Sequence, residues 1–140
     1  MKARAAKAAA AIAIASLGST ASACGFCDED RIAAVYDHAV IARALERHYR
    51  VVYFAIEGAM PDAARSRRLV SRALQAAKGI DARSGRISIE PASLGVAYDP
   101  KRTRPEEIAT TLNRELALAG LVVSVLRVME TQIAPPPSRG

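Results

Sequence analysis

The sequence has little of what several classes of function require. It contains no tryptophan, four tyrosines and two phenylalanines, so its basic residues are not interleaved with aromatic side chains on which nucleic-acid bases could stack. It has two histidines, no glycine-rich phosphate loop and no serine, histidine and aspartate grouping in a motif context. These absences count against nucleic-acid binding and against an enzyme. We predict no catalytic residues and no bound organic cofactor.

The N-terminal apolar stretch is also too short to cross a membrane. Ala8–Leu17 is uncharged but falls well below the roughly 20 residues that a spanning helix needs. Three basic residues precede it, and Ala21-Ser22-Ala23 follows as an A-x-A cleavage site. This order is typical of a secretory signal peptide. We therefore predict that residues 1–23 are cleaved, that the chain is exported to the periplasm or secreted, and that the mature protein begins at Cys24.

The mature chain is long enough for one domain and is only moderately basic. Of the formal net charge of +6, three positive charges lie in the predicted signal peptide, which leaves the mature chain near +3. Its densest basic run is an arginine cluster, for which a solvated helix face is the simplest interpretation. Contact with an anionic lipid surface or an acidic partner is the alternative. The cluster comprises Arg65, Arg67, Arg68 and Arg72.

The two cysteines form the motif Cys24-Gly25-Phe26-Cys27. In an oxidising compartment such a pair is a disulfide, a redox site or a metal site. Two thiolates at a helix start can converge on one soft ion, and we predict that Cys24 and Cys27 bind Cu(I) or Zn. A structural disulfide is one alternative, although its loop is very short and constrains the unfolded chain little. Acylation of Cys24 is another, and it would anchor the protein to a membrane.

Hydrophobic periodicity predicts helices and strands along the mature chain after the cysteines. They are a helix over 28–47, a strand over 51–56, a helix over 62–78, two strands or one hairpin over 86–98, a helix from 105 to 119, and a strand over 121–126. Arg83-Ser84-Gly85 is predicted to be a turn, and Pro91 lies at the bend of the hairpin. From residue 51 onward the order is β-α-β-β-α-β.

This order predicts an α+β fold of the ferredoxin-like type, with a four-stranded antiparallel sheet and two helices. The predicted domain covers 51–130. Residues 24–50 form an additional N-terminal helix that carries the cysteines, and the proline-rich tail 131–140 is predicted to be disordered.

Two phrases near the third predicted strand carry a family resemblance. Val96-Ala97-Tyr98-Asp99-Pro100 fits a V-x-Y-D-P strand end, and Pro105-Glu106-Glu107-Ile108 fits a P-E-E-I helix opening. Over about residues 51–130 the chain resembles the heavy-metal-associated domain family of copper chaperones and metal-transporting ATPases, and Gly58 lies where that family has the glycine of its metal loop. The resemblance implies a ferredoxin-like fold, soft-metal binding, and a metal-transfer or envelope protein as partner.

The chain departs from this family at the metal loop itself. The family binds metal through G-M-x-C-x-x-C, whereas this loop is Gly58-Ala59-Met60-Pro61-Asp62-Ala63-Ala64. With the glycines aligned, Pro61 and Ala64 occupy the cysteine positions, and neither can bind a soft metal. Met60 is expected to fill the core rather than to bind metal. The predicted site is therefore Cys24 and Cys27, in place of the missing loop cysteines.

Three functional hypotheses follow. The leading one is an exported, non-enzymatic protein of metal binding or metal homeostasis. The second is a thiol redox protein of the cell envelope. The third is a metal-free interaction module that uses its sheet face or its basic helix. His38 is not expected to bind the same ion as Cys27, because it lies far away along one continuous predicted helix. His48 is expected to be a polar cap or a surface residue.

Overall fold

The computed structural model describes residues 26–129. The predicted signal peptide, Cys24 and the predicted tail lie outside these residues. Within them, no helix combines the length and the apolar character needed to cross a membrane.

The described chain contains four α-helices, one short 3-10 helix and four strands. In chain order they are α1 Asp28–Val35, α2 His38–Glu46, β1 Arg50–Glu57, α3 Ala63–Ala76, β2 Ile80–Ile89, β3 Ala92–Tyr98, α4 Pro105–Leu116, the 3-10 helix Ala117–Ala119, and β4 Val122–Met129.

The four strands form one antiparallel sheet in the order β2-β3-β1-β4. Strand β1 therefore occupies an interior position and pairs with β3 on one side and β4 on the other. Together with the β-α-β-β-α-β order from β1 onward, this arrangement confirms the ferredoxin-like α+β fold. The β2–β3 connection is a tight hairpin at Glu90-Pro91, so the predicted segment 86–98 is one hairpin and not two separate strands.

Helices cover both faces of the sheet. Helices α3 and α4 cover one face and enclose the larger core, which includes Val52, Phe54, Ile56, Leu94, Val96, Leu112 and Val123. Helices α1 and α2 cover the other face with a smaller core of Ile32, Val35, Val40, Ala44, Val51, Tyr53 and Ala97. We call residues 27–49 the N-terminal layer. Because alternate residues of β1 point to opposite faces, its continuous apolar run is buried on both sides.

The predicted helix over 28–47 is wrong in one respect: it is two helices, broken at Tyr36-Asp37. The side chain of Asp37 accepts hydrogen bonds from the backbone amides of Ala39 (2.9 Å) and Val40 (3.2 Å), which begins α2. Aspartate competes well with a continuing helix because its short side chain can satisfy these free amides. After the break both short helices pack on the sheet, where they bury Ile32, Val35, Val40 and Ala44.

The turn predicted at Arg83-Ser84-Gly85 is also wrong, because these residues lie inside β2. The register between β2 and β3 shifts between Asp81 and Arg86. At this irregularity the hydroxyl of Ser84 donates to the carbonyl of Asp81 (2.6 Å) and accepts from the amide of Ala97 (2.7 Å). The side chain thus replaces a missing backbone partner and allows the strand to continue from Ile80 to Ile89.

Ion pairs connect the N-terminal layer to the sheet at several points. Each joins one residue of the layer to one residue of the sheet, in β1, β2 or β4: Arg31 to Glu57 (3.3 Å), Asp37 to Arg86 (2.7 Å), Arg47 to Asp81 (2.9 Å), and Glu29 to Arg127. Exposed ion pairs individually contribute little to stability. Because they are spread over three strands, these pairs instead set the orientation of the N-terminal layer on the sheet. The apolar core beneath this layer is the smaller of the two.

Tyr53 lies in the middle of that contact. Its side chain is 1% exposed, and its ring lies across Gly95, where an added Cβ would come within 3.0 Å of Tyr53 Cε1. Its hydroxyl is the one buried side-chain polar atom of residues 26–129 without a hydrogen-bond partner. Burial raises the pKa of Tyr53, and the nearby Tyr36 and Asp37 add to the effect.

We expect Tyr53→Phe to stabilise the protein by about 1 kcal/mol, because it removes a buried donor that no group satisfies. Urea unfolding measures the change in the free energy of unfolding. The matched control is Tyr98→Phe, at a tyrosine that is 2% exposed and whose hydroxyl is not among the unsatisfied buried atoms. The control should bring no gain. A loss of stability in Tyr53→Phe would show that the hydroxyl has a partner after all.

The Asp37–Arg86 pair gives the fold a pH dependence. The hydrogen bond from Arg86, followed by that from the amide of Val40, lowers the pKa of Asp37 below its ordinary value of about 3.9. Ionised Asp37 therefore stabilises the fold above that value, and the contribution is lost as the pH falls through the lower folded-state pKa. Asp37→Asn should reduce stability near neutral pH, and its difference from the wild type should vanish in strong acid, as measured by thermal unfolding between pH 2 and 7.

The variant Arg86→Gln should change stability over the same pH window, because it removes the partner that lowers the pKa. If only Asp37→Asn alters the pH dependence, the ion pair is not its cause.

Candidate metal-binding site at the start of helix α1

Cys27 is the N-cap of α1 and carries an exposed, free thiol. Its Sγ donates a hydrogen bond to Asp30 Oδ2 (3.2 Å), and its backbone amide donates to the same carboxylate oxygen (3.2 Å). The carboxylate of Asp30 thus holds the first turn in the manner of a capping box. A metal ion replaces the thiol proton when it binds a cysteine, so binding at Cys27 requires the Sγ–Asp30 hydrogen bond to break.

Arg31 fixes this first turn to the sheet. Its backbone amide donates to the carbonyl of Cys27 (3.1 Å), and its own carbonyl accepts a hydrogen bond from the hydroxyl of Ser93 (2.8 Å). Its guanidinium donates to the carbonyl of Ala92 (3.2 Å) and pairs with Glu57 (3.3 Å). The Arg31 side chain is 18% exposed, so it is more enclosed than most arginines. We call these four interactions the Arg31 clasp.

The clasp places Cys27 at a particular end of the molecule. Glu57 is the last residue of β1, and Ala92 is the first residue of β3. The loop Gly58–Asp62 begins at this same end of the sheet and leads into α3. Cys27 therefore lies at the sheet end from which the loop leaves, although α1 and α3 cover opposite faces.

The residues of the loop Gly58–Asp62 form a tight turn, begin α3 and pack against the core. Gly58 has a φ of 116°, and a Cβ there would lie 2.4 Å from the carbonyl oxygen of Gly120. Asp62 accepts a hydrogen bond from the amide of Arg65 and begins α3. Met60 is half-buried and packs against the larger core, which agrees with its interpretation as a core residue. Gly58 is required here for steric reasons that involve no metal.

The histidines do not join Cys27 in the described part of the chain. His38 is the first residue of α2, beyond the break at Asp37, and His48 follows α2 with a φ of 58°. Within residues 26–129, no three side chains from histidine, cysteine, aspartate and glutamate are placed to hold one ion. Cys24, the other predicted ligand, lies outside the described residues.

The residues that position Cys27 were not identified from the sequence. An acidic residue at the third helical position is a recognisable signal for a capping box, and Asp30 provides it. The Arg31 clasp has no comparable signal, because its partners lie in β1 and β3. Ser93 and Arg31 are separated by 62 positions in the chain.

Comparisons with known proteins found similarity to solved structures alone. No protein-family model matches the sequence, and no curated protein matches it. A solved copper binding domain of the P-type ATPase HMA7 is similar, with 21% identity and a TM-score of 0.48 over 58% of this chain and 99% of that domain. Oxidized MerP from Ralstonia metallidurans CH34 has 19% identity and a TM-score of 0.44 over 55% and 96%.

A third similar structure is the N-terminal domain of a potential copper-translocating P-type ATPase from Bacillus subtilis. It has 18% identity and a TM-score of 0.46 over 59% of this chain and 94% of that domain. The chain is a ferredoxin-like α+β domain in which an added N-terminal layer covers the second face of the sheet.

We expect Arg31→Met to loosen the first helix while the rest of the domain stays folded. The substitution keeps the aliphatic length but removes the guanidinium contacts with Ala92 and Glu57, so the amides of Ile32–Val35 should exchange with solvent about tenfold faster. Hydrogen exchange followed by NMR measures this rate.

Arg47→Met is the matched control, because it breaks the pair with Asp81 at the other end of the layer. It should leave exchange in α1 unchanged. Equal acceleration of α1 in both variants would contradict a specific role of the Arg31 clasp.

Proposed function

We propose that this chain is an exported metal-binding protein that holds one soft metal ion, Cu(I) or Zn(II), through Cys24 and Cys27, and that it serves metal homeostasis. The observation that carries the proposal is the position of Cys27. Its thiol is free and exposed, and it stands at the start of a helix whose first turn is clamped to the sheet. Cys24 precedes it by three positions.

The donor set fits a soft ion. Thiolates prefer Cu(I) and Zn(II) over hard cations, and C-x-x-C spacing lets two of them converge on one ion. Structural zinc sites normally have four protein ligands, whereas this chain has two cysteines, so Cu(I) is the better match. The carboxylates of Asp28, Glu29 and Asp30, in the first turn of α1, attract the cation.

The loop after β1 plays a different part in this proposal. Its residues cap α3, turn the backbone and fill the core, and none of them supplies a thiolate. The proposed metal site instead includes Cys27, which lies at the same end of the sheet. Metal is transferred to or from a partner protein of the envelope, which the exposure of Cys27 permits.

Native mass spectrometry under anaerobic conditions tests the proposal, with protein isolated from an exporting host and exposed to Cu(I) or Zn(II). We expect a mass of Cys24–Gly140 plus one metal ion, and no bound metal in Cys24→Ser/Cys27→Ser. Met60→Leu is the control for the loop and should bind metal as the wild type does, because Met60 packs in the core.

Two outcomes of the same experiment would overturn the metal hypothesis. A mass deficit of two hydrogens, with no metal uptake after reduction, would indicate a disulfide and favour the thiol redox hypothesis. A mass increased by acyl chains would show that Cys24 is lipidated and cannot serve as a thiolate. An uncleaved N-terminus would contradict export by residues 1–23.

The fold restricts the third hypothesis, that of a metal-free interaction module. In the described chain the N-terminal layer packs over β1 and β3, so this face of the sheet is not open to a partner there. The basic helix α3 keeps its arginine side chains exposed to solvent and could still contact a partner.

A further inference from the structure

Helix α3 presents a dense arginine surface to solvent. Arg65, Arg67, Arg68 and Arg72 are all exposed, and we call them the arginine face. Arg65, Arg68 and Arg72 are spaced three and four residues apart and line one side of the helix, which spans about 10 Å between the first and the last. The sequence of α3 contains no aspartate or glutamate.

The charges of the arginine face are not neutralised within the described chain. Arg67 donates one weak hydrogen bond, to the carbonyl of Ile87 (3.4 Å). Between residues 26 and 129, no carboxylate lies within ion-pair distance of any of the four guanidinium groups. This differs from the N-terminal layer, where Arg31 and Arg47 each pair with an acidic residue of the sheet.

Such an arrangement is unfavourable for an isolated helix. Like charges at the i,i+3 positions Arg65 and Arg68, and at the i,i+4 positions Arg68 and Arg72, repel each other. Within residues 26–129 no ion pair offsets this repulsion between arginines. A surface of this kind is a candidate for binding a ligand of opposite charge.

The face lacks the aromatic and large apolar residues that anchor a protein–protein interface. Binding energy between proteins is concentrated in a few hot-spot residues, enriched in Trp, Tyr and Arg, that are fully desolvated in well-packed pockets. The exposed large hydrophobic residues of the described chain all lie outside α3; they are Phe26, Tyr36, Leu45, Leu118, Val122 and Val125. Leu69, which lies between the arginines, is half-buried and packs against the core.

A membrane surface needs no such anchors, because anionic headgroups attract cationic side chains at about 1 kcal/mol for each arginine or lysine. The planar guanidinium group also binds phosphate oxygens in pairs. We propose that the arginine face docks the protein on a membrane surface rich in anionic phospholipid. The contact is electrostatic, peripheral and reversible, and it does not depend on acylation of Cys24.

Docking through α3 is compatible with a working site at Cys27. Helices α3 and α1 lie on opposite faces of the sheet, so the first turn of α1 stays in solvent when α3 lies on the membrane. The protein would then present Cys27 toward partners in the aqueous phase.

Vesicle sedimentation tests the proposal with the chain isolated from an exporting host and carrying Cys24→Ser, which removes any acyl chain. The probes are neutral vesicles of phosphatidylcholine and anionic vesicles that also contain roughly 30% phosphatidylglycerol, as a model of an anionic membrane. We expect binding to the anionic vesicles alone, and its loss at high salt because the charges are screened.

A charge-matched pair of triple variants locates the contact. Arg65→Gln/Arg68→Gln/Arg72→Gln should weaken binding to anionic vesicles by about a hundredfold, which corresponds to three arginine contacts. Lys101→Gln/Arg102→Gln/Arg104→Gln removes the same charge from exposed residues elsewhere and should stay within about threefold of the parent protein. Circular dichroism checks that both variants are folded.

Three results would overturn the proposal. Equal weakening by both triple variants would show that only net charge matters. Equal binding to neutral vesicles would show that the contact is not electrostatic. Binding to soluble polyglutamate without binding to anionic vesicles would assign the arginine face to an acidic protein partner.

Discussion

The burial of β1 on both faces is the constraint on which the rest of the structure depends. Val52, Phe54 and Ile56 pack under α3 and α4, while Val51 and Tyr53 pack under the N-terminal layer. A strand that is apolar on both sides needs a cover on both sides, since each uncovered side would expose a contiguous apolar surface. The N-terminal layer is therefore part of the folded domain and not an appendage.

The same constraint connects the fold to the candidate site. Because the N-terminal layer must lie on β1 and β3, its first turn meets the ends of these strands, and Arg31 binds Glu57 and Ala92 there. Cys27 is held one helical turn away. The layer thus brings a thiol to the end of the sheet at which the β1–α3 loop begins, while the loop itself carries none.

Local signals made much of the fold predictable. The apolar run of β1, the helical periodicity of α3 and α4, and Pro105 at the start of α4 act within a few residues, and the structure confirms these elements. The break at Asp37 was missed because an N-cap inside an apolar-periodic segment competes closely with continued helix. Its partner Arg86, which lies 49 positions away, is not visible in a local pattern.

The sequence by itself determined the order of the strands and helices from β1 onward, the spacing of the two cysteines and the arginine stripe of α3. Each of these depends on side chains a few positions apart, so the periodicity of one element is enough to reveal it. Only the tertiary structure decided that the N-terminal layer covers the second face, that Ser84 completes β2, and that Arg31 clamps the turn of Cys27. These features depend on side chains that packing brings together from distant positions, and no local propensity encodes such pairs.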